Sequence, residues 1–188
     1  MELIEITEFF QSVKVPMTIM HVLAVVFGMG AALTSDALFS FFGKDKNLNK
    51  TELKTLEILS TLVLYGLVVI AISGIALFLS DPIQYLNSAK FLAKMSILVV
   101  LLLNGYLLNA YIWPRLLRKK FFTARGERSI RRLAFALGSI SVISWVAVCV
   151  LGVLKDVPMN YGSIMGVYFI ILSLGTLVAL GVEKRELN

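Results

Sequence analysis

Apolar residues along this chain fall into five long runs separated by short polar breaks. Met17 to Phe42, Leu56 to Leu79, Phe91 to Trp113, Leu133 to Leu154 and Gly162 to Val182 are the runs. Each reaches roughly the twenty residues that a helix needs to cross a ~30 Å hydrocarbon core. Backbone groups at that depth must be satisfied within the segment, so runs this apolar are expected to be helices. The breaks are Gly43-Lys44-Asp45-Lys46-Asn47-Leu48-Asn49-Lys50, Ser80-Asp81-Pro82, Trp113-Pro114, Lys155-Asp156-Val157-Pro158 and Glu183-Lys184-Arg185-Glu186. Proline drives its preceding residue away from helix, so the third run is expected to end at Trp113-Pro114. The pattern predicts an all-α, polytopic membrane helical bundle with five transmembrane helices in a single domain over 1–188.

Residues 1–15 have a different rhythm. Glu2, Glu5 and Glu8 interleave with Leu3, Ile6, Phe9, Phe10 and Val13 at roughly helical spacing, which predicts a short amphipathic segment along the interface. Pro16 suits the first turn of the next helix, where its missing N–H costs nothing. The acids take the place of a signal peptide's basic n-region, so the first helix is expected to be retained.

Composition agrees with a bilayer protein. Of 188 residues 58% are hydrophobic and 16% charged, with mean hydropathy +0.85, whereas soluble domains carry about a quarter charged. The net charge of +6 does not point to nucleic acid, because the basic residues sit between apolar runs. They read as topology signals. Lys44, Lys46, Lys50 and Lys54 lie in the first loop. Arg115, Arg118, Lys119, Lys120, Arg125, Arg128, Arg131 and Arg132 lie in a basic loop over 114–132. The positive-inside rule places both loops in the cytoplasm, with the N-terminus outside, the C-terminus cytoplasmic and the chain in the inner (plasma) membrane. Tyr85 and Tyr161 then fall at the outer interface, Tyr111 and Trp113 at the inner one. The basic loop also suits anionic lipid. Cys149 stands alone in an apolar run, which excludes an intrachain disulfide and a cysteine-rich metal site.

Leu77-Phe78-Leu79-Ser80-Asp81-Pro82 followed by Tyr85 is similar to Val153-Leu154-Lys155-Asp156-Val157-Pro158 followed by Tyr161. Either helices two–three and four–five are related hairpins, or the same turn chemistry is used twice.

Ionisable and amide groups inside spans mark candidate function. His21, the only histidine, recurs at seven-residue spacing with Gly28 and Ser35, and Asp36 lies further along the same helix. On the third helix Lys94, Leu98, Leu101, Gly105 and Asn109 share a face, with Asn104 nearby. If helices one and three face each other, His21 meets Lys94 near the outer leaflet and Asp36 meets Asn109 near the inner one. The structural alternatives are a snorkelling Lys94, an Asp36 that caps the turn or binds Lys46, amides that hold helices together, and glycines that pack them. An imidazole beside small residues is also suited to haem iron. A single histidine leaves the sixth position open, or filled by a methionine (Met17, Met95, Met159 or Met165) or by His21 of a second chain.

His21 with Phe27-Gly28-Met29-Gly30, Ser73-Gly74 late in helix two, and Lys94-Met95 followed by Leu101-Leu102-Leu103-Asn104 in helix three carry a family likeness. Over helices one to three the chain resembles the bacterial membrane protein superfamily of copper-resistance D-type proteins and HemJ-type protoporphyrinogen oxidases. The resemblance implies a helical membrane bundle and, for the HemJ type, b-type haem associated with His21 and Lys94. Phe27 stands where tryptophan is usual. Asn104 stands about where the HemJ type carries a second histidine, so porphyrinogen oxidation and a two-histidine copper site do not carry over.

The leading expectation is a haem-associated redox or electron-transfer protein, with His21 as axial and metal ligand and Lys94 and Gly28 at the cofactor. The next is a small transporter or ion-handling protein in which His21, Lys94, Asp36 and Asn109 form a polar track. A third is a non-catalytic membrane subunit, in a homo-oligomer or larger complex. No serine, cysteine or threonine sits with a base in an elbow or dyad pattern, so a hydrolase is not indicated.

Overall fold

The computed structural model describes residues 2–43, 48–117, 127–155 and 157–187. Lys44, Lys46, Arg118, Lys119, Lys120, Arg125 and Asp156 lie outside the described residues, and with them much of the two basic loops and the Asp36–Lys46 pairing. The elements are α1 (Glu2–Ser12), α2 (Lys14–Gly43), α3 (Lys50–Ser80), α4 (Pro82–Leu86), α5 (Ala89–Leu107), a π turn (Leu108–Ile112), α6 (Trp113–Leu116), α7 (Arg128–Val153) and α8 (Tyr161–Leu187). Five helical stretches are long and apolar enough to cross a membrane: α2, α3, the run from α5 through α6, α7 and α8. Their outward faces carry exposed Leu64, Ile75, Val99, Leu103, Ile170 and Leu174. Apolar surface on this scale is what a bilayer solvates and water does not. The chain is a multi-pass membrane protein.

Local chemistry explains most element ends, and four differ from the sequence expectation. α3 begins at Lys50 rather than Leu56, because Asn49 and Glu52 form a reciprocal capping box: Asn49 Oδ1 accepts from the Glu52 amide at 2.9 Å and Glu52 Oε2 accepts from the Asn49 amide at 2.8 Å. The third span does not end at Trp113-Pro114. Proline lacks an N–H and its ring crowds the carbonyl four residues back, and here the widened turn from Leu108 to Ile112 precedes it and the helix runs on to Leu116. Arg128, Arg131 and Arg132, expected in a loop, lie in α7, and Arg131 is buried. Glu183, Lys184 and Arg185 likewise extend α8, with Glu183 buried.

Other ends follow expectation. Pro16 sits in the first turn of α2. Asp81 ends α3 and accepts from the Gln84 amide to open α4, with Pro82 next to it. α1 is a helix whose Gln11 side chain donates to the Ser80 carbonyl at 3.2 Å, fastening it to the far end of α3.

Packing divides the bundle in two. α2 lies along α3, with α1 beside them, and α7 packs on α5 and α8. α2 against α7 joins the halves. Among the described residues, no Cα of α5 comes within 8 Å of a Cα of α2 or α3. Only side chains cross from α3 to α5, through Ile70 and Leu101 in a core cluster with Ala24, Ala32 and Trp145, and through stacked Phe78 and Phe91 at the turn. The two similar stretches sit in differently packed pairs: α7 and α8 pack on one another, while α3 and α5 stand apart.

Candidate functional site

The polar groups that the sequence marks on the first and third spans sort into two places separated by the Ala24, Ile70, Leu101 and Trp145 cluster. The first centres on His21. Its Nδ1 lies 2.9 Å from Ser73 Oγ on α3, not against α5. Ser73 Oγ is 2.6 Å from the Val69 carbonyl and 3.2 Å from that of Ile70. A hydroxyl has one proton to give, and the short contact takes it to Val69, so Ser73 accepts from His21 Nδ1–H. The tautomer leaves Nε2 with its lone pair. The ring lies over Gly74, where a Cβ would stand in ordinary contact with His21 Cε1 at 3.5 Å. Lys94 lies within electrostatic range of the imidazole, but the ring's hydrogen bonds go to α3.

Gly28, expected beside a cofactor, is at the closest approach of α2 and α3. A Cβ on Gly28 would stand 3.2 Å from Trp145 Cη2 and 3.6 Å from Gly66 Cα. That space is occupied by protein. Of the methionines considered as axial ligands, Met165 is packed in the core with Ala93, Ile97 and Tyr168.

The second place is a cavity of about 410 Å³ between α2, α3, α5, the π turn and α7, in the half of the bundle toward Gly43, Lys50 and Leu116. Asp36, Asn104, Asn109, Ser35, Ser60 and Ser141 contribute its polar groups; Phe39, Tyr106, Trp113 and Trp145 contribute its aromatic ones. Asp36 does not meet Asn109. It turns to α7, where the Ser141 hydroxyl faces its carboxyl and a Cβ on Gly138 would stand 3.5 Å from Oδ1. Its Oδ2 is buried with no hydrogen-bond partner. Asn104 is 4% exposed, and its Oδ1 is likewise buried and unpartnered. Asn109 is held otherwise: Nδ2 donates to the Gly105 carbonyl at 3.1 Å, and Oδ1 accepts from Ser60 across the cleft at 3.4 Å. Leu64, Leu102 and Tyr106 line the cavity and are also exposed on the outer surface, so the cleft opens sideways between α3 and α5.

The sequence marks His21, Asp36, Asn104 and Asn109, and Ser73 through the family likeness alone, but not Ser60 or Ser141; each of these three serines lies beside one of the marked groups from another helix. Nothing in a lone serine on an apolar helix marks it for that role. Lys90 was also passed over; its Nζ donates to the Leu154 carbonyl at 2.7 Å and the Lys155 carbonyl at 3.2 Å, closing the end of α7. Among the described residues, no group of three or more His, Cys, Asp or Glu converges as a metal site would require.

No protein-family model, curated protein or solved structure matches this chain.

Proposed function

We propose that this protein is a solute-handling, transporter-type membrane protein that binds a small amphipathic molecule in the cleft between α3 and α5. The observation that carries this reading is the pair of buried, unpartnered oxygens, Asp36 Oδ2 and Asn104 Oδ1, in one cavity. Leaving such groups unpaired in an apolar setting costs about 1–3 kcal/mol each, a cost that a ligand's donors remove. The cavity's volume falls within the range of small-molecule sites, and its side opening suits a solute that partitions into lipid. The Ala24, Ile70, Leu101 and Trp145 cluster interrupts the polar track toward His21, so entry is from one side.

The orientation goes with this proposal: N-terminus outside, C-terminus cytoplasmic, inner membrane, with the cavity in the cytoplasmic half. A cysteine at Asn87 in a Cys149→Ser background is then labelled by an impermeant maleimide in intact cells; labelling only after permeabilisation reverses the assignment. The binding reading is tested by native mass spectrometry of the purified chain. A bound small solute is expected, and it is lost in Ser60→Phe, whose ring fills the cleft. Phospholipid adducts alone, equal in both proteins, would remove the reading.

One observation favours a second reading, b-type haem in electron transfer. Metal-ligating histidines almost always donate their other ring N–H to the protein, and the His21 Nδ1–H to Ser73 contact has that form. His21 would hold the iron through Nε2, and haem would supply redox chemistry when bound. Gly28 takes no part, since Gly66 and Trp145 fill its side. Haem-replete protein is expected to show a Soret band that vanishes in His21→Ala; a colourless preparation ends this reading.

A further inference from the structure

We infer that the cleft is selective for an organic ammonium, a protonated primary or secondary amine on an apolar, ring-sized body. The inference rests on the solute-binding reading above and names what the solute must carry.

Three features of the cavity converge. Its unpartnered polar atoms, Asp36 Oδ2 and Asn104 Oδ1, are both hydrogen-bond acceptors, so the missing partner is a donor. Among the described residues no Lys, Arg or His lines the cavity, so none of them sets a cation beside the Asp36 carboxylate there. A buried carboxylate is tolerated when it is paired and hydrogen-bonded, so a positively charged donor completes the site better than a neutral one. The remaining wall is apolar and aromatic: Phe39, Tyr106, Trp113 and Trp145 supply rings, the groups with which ammonium ions form cation–π contacts.

A bare metal ion does not fit this wall. Calcium or magnesium calls for about six oxygen ligands, several of them carboxylate or water, and the cavity offers one carboxylate among mainly apolar side chains. An ammonium with an apolar body uses both parts of the lining. Its N–H groups donate to Asp36 and Asn104 while its hydrocarbon lies toward the Leu64 and Leu102 opening.

The test uses a reporter built into the chain. Trp113 and Trp145 are its only two tryptophans, and both line the cavity. The full chain in phosphatidylcholine nanodiscs is titrated with 2-phenylethylammonium, 2-phenylethanol and phenylacetate while tryptophan emission is recorded. The ammonium is expected to give a saturable change at roughly tenfold lower concentration than the alcohol, the equivalent of one charge-assisted hydrogen bond. Phenylacetate gives none. Asp36→Asn, which keeps the shape and removes the charge, is expected to abolish the preference while the alcohol's response stays. Asn104→Leu, which retains Asp36, weakens the ammonium several-fold and serves as the second variant if Asp36→Asn does not fold. Equal response to ammonium and alcohol in the native chain, or a preference that survives in both variants, overturns ammonium recognition and leaves solute binding standing. No saturable response to any of the three probes overturns the binding reading itself.

Discussion

Alanine at Gly66 is expected to destabilise the purified protein by about 1–3 kcal/mol, the usual cost of overpacking a tight contact, and leucine is expected to prevent α2 and α3 from closing. A Cβ built on Gly66 stands 2.8 Å from Gly28 Cα, 3.3 Å from Gly28 N and 3.4 Å from the Ala24 carbonyl oxygen. All three are backbone atoms of α2, so relief requires moving a helix rather than turning a side chain. Inside a bilayer the lipid is as apolar as the protein, and helices associate through close packing, for which small residues are needed. Gly175→Ala is the matched control. Its Cβ would run into Ile143, but only into the flexible Cδ1 end of that side chain, which can rotate away. Unfolding in detergent, followed by circular dichroism, is expected to rank Gly66→Ala well below Gly175→Ala. Equal stability of the two would show that the α2–α3 crossing does not depend on Gly66.

Trp145→Ala is expected to cost roughly 3–5 kcal/mol, the range for removing a large buried aromatic ring. Trp145 is 2% exposed, packs with Ala24, Ala32, Ile70 and Leu101, and covers Gly28. Those neighbours come from α2, α3 and α5, so one α7 side chain joins both halves of the bundle. The loss is chiefly of dispersion contacts, because the surrounding helices close only in part over the space left. Trp145→Phe is expected to recover a substantial part. The same change enlarges the solute cavity, since Trp145 forms its wall. Calorimetric or denaturant unfolding of the two variants checks the order. Alanine and phenylalanine variants both as stable as the native chain would contradict the bridging role.

The five spans were legible from hydropathy alone, and so were the breaks at Pro16 and Ser80-Asp81-Pro82, because each rests on chemistry within a few residues. The Asn49–Glu52 capping box is equally local, yet hydropathy alone starts the second span at Leu56; the Asn-x-x-Glu spacing is the signal that places the start of α3 at Lys50. The continuation past Pro114 was not, because a π turn that relieves a proline has no comparable sequence mark. His21, Asp36, Asn104 and Asn109 stood out as polar groups in apolar runs, which is a property of each residue and its neighbours in sequence.

Their partners were a different matter. A helix presents several faces, and hydropathy does not say which of them meets which neighbour when lipid is an equally good solvent for all. Facing helices one and three would have joined His21 to Lys94 and Asp36 to Asn109. Close packing of Gly28 on Gly66 instead brings α2 against α3, so His21 meets Ser73 and Asp36 turns to Ser141 on α7. α5 stands apart from α3, and the cleft lies between them. Crossing the membrane is thus written in the order of apolar residues, a sum over each segment. The site is set by shape, where one missing Cβ on each of two helices decides which polar groups are paired and which are left for a ligand.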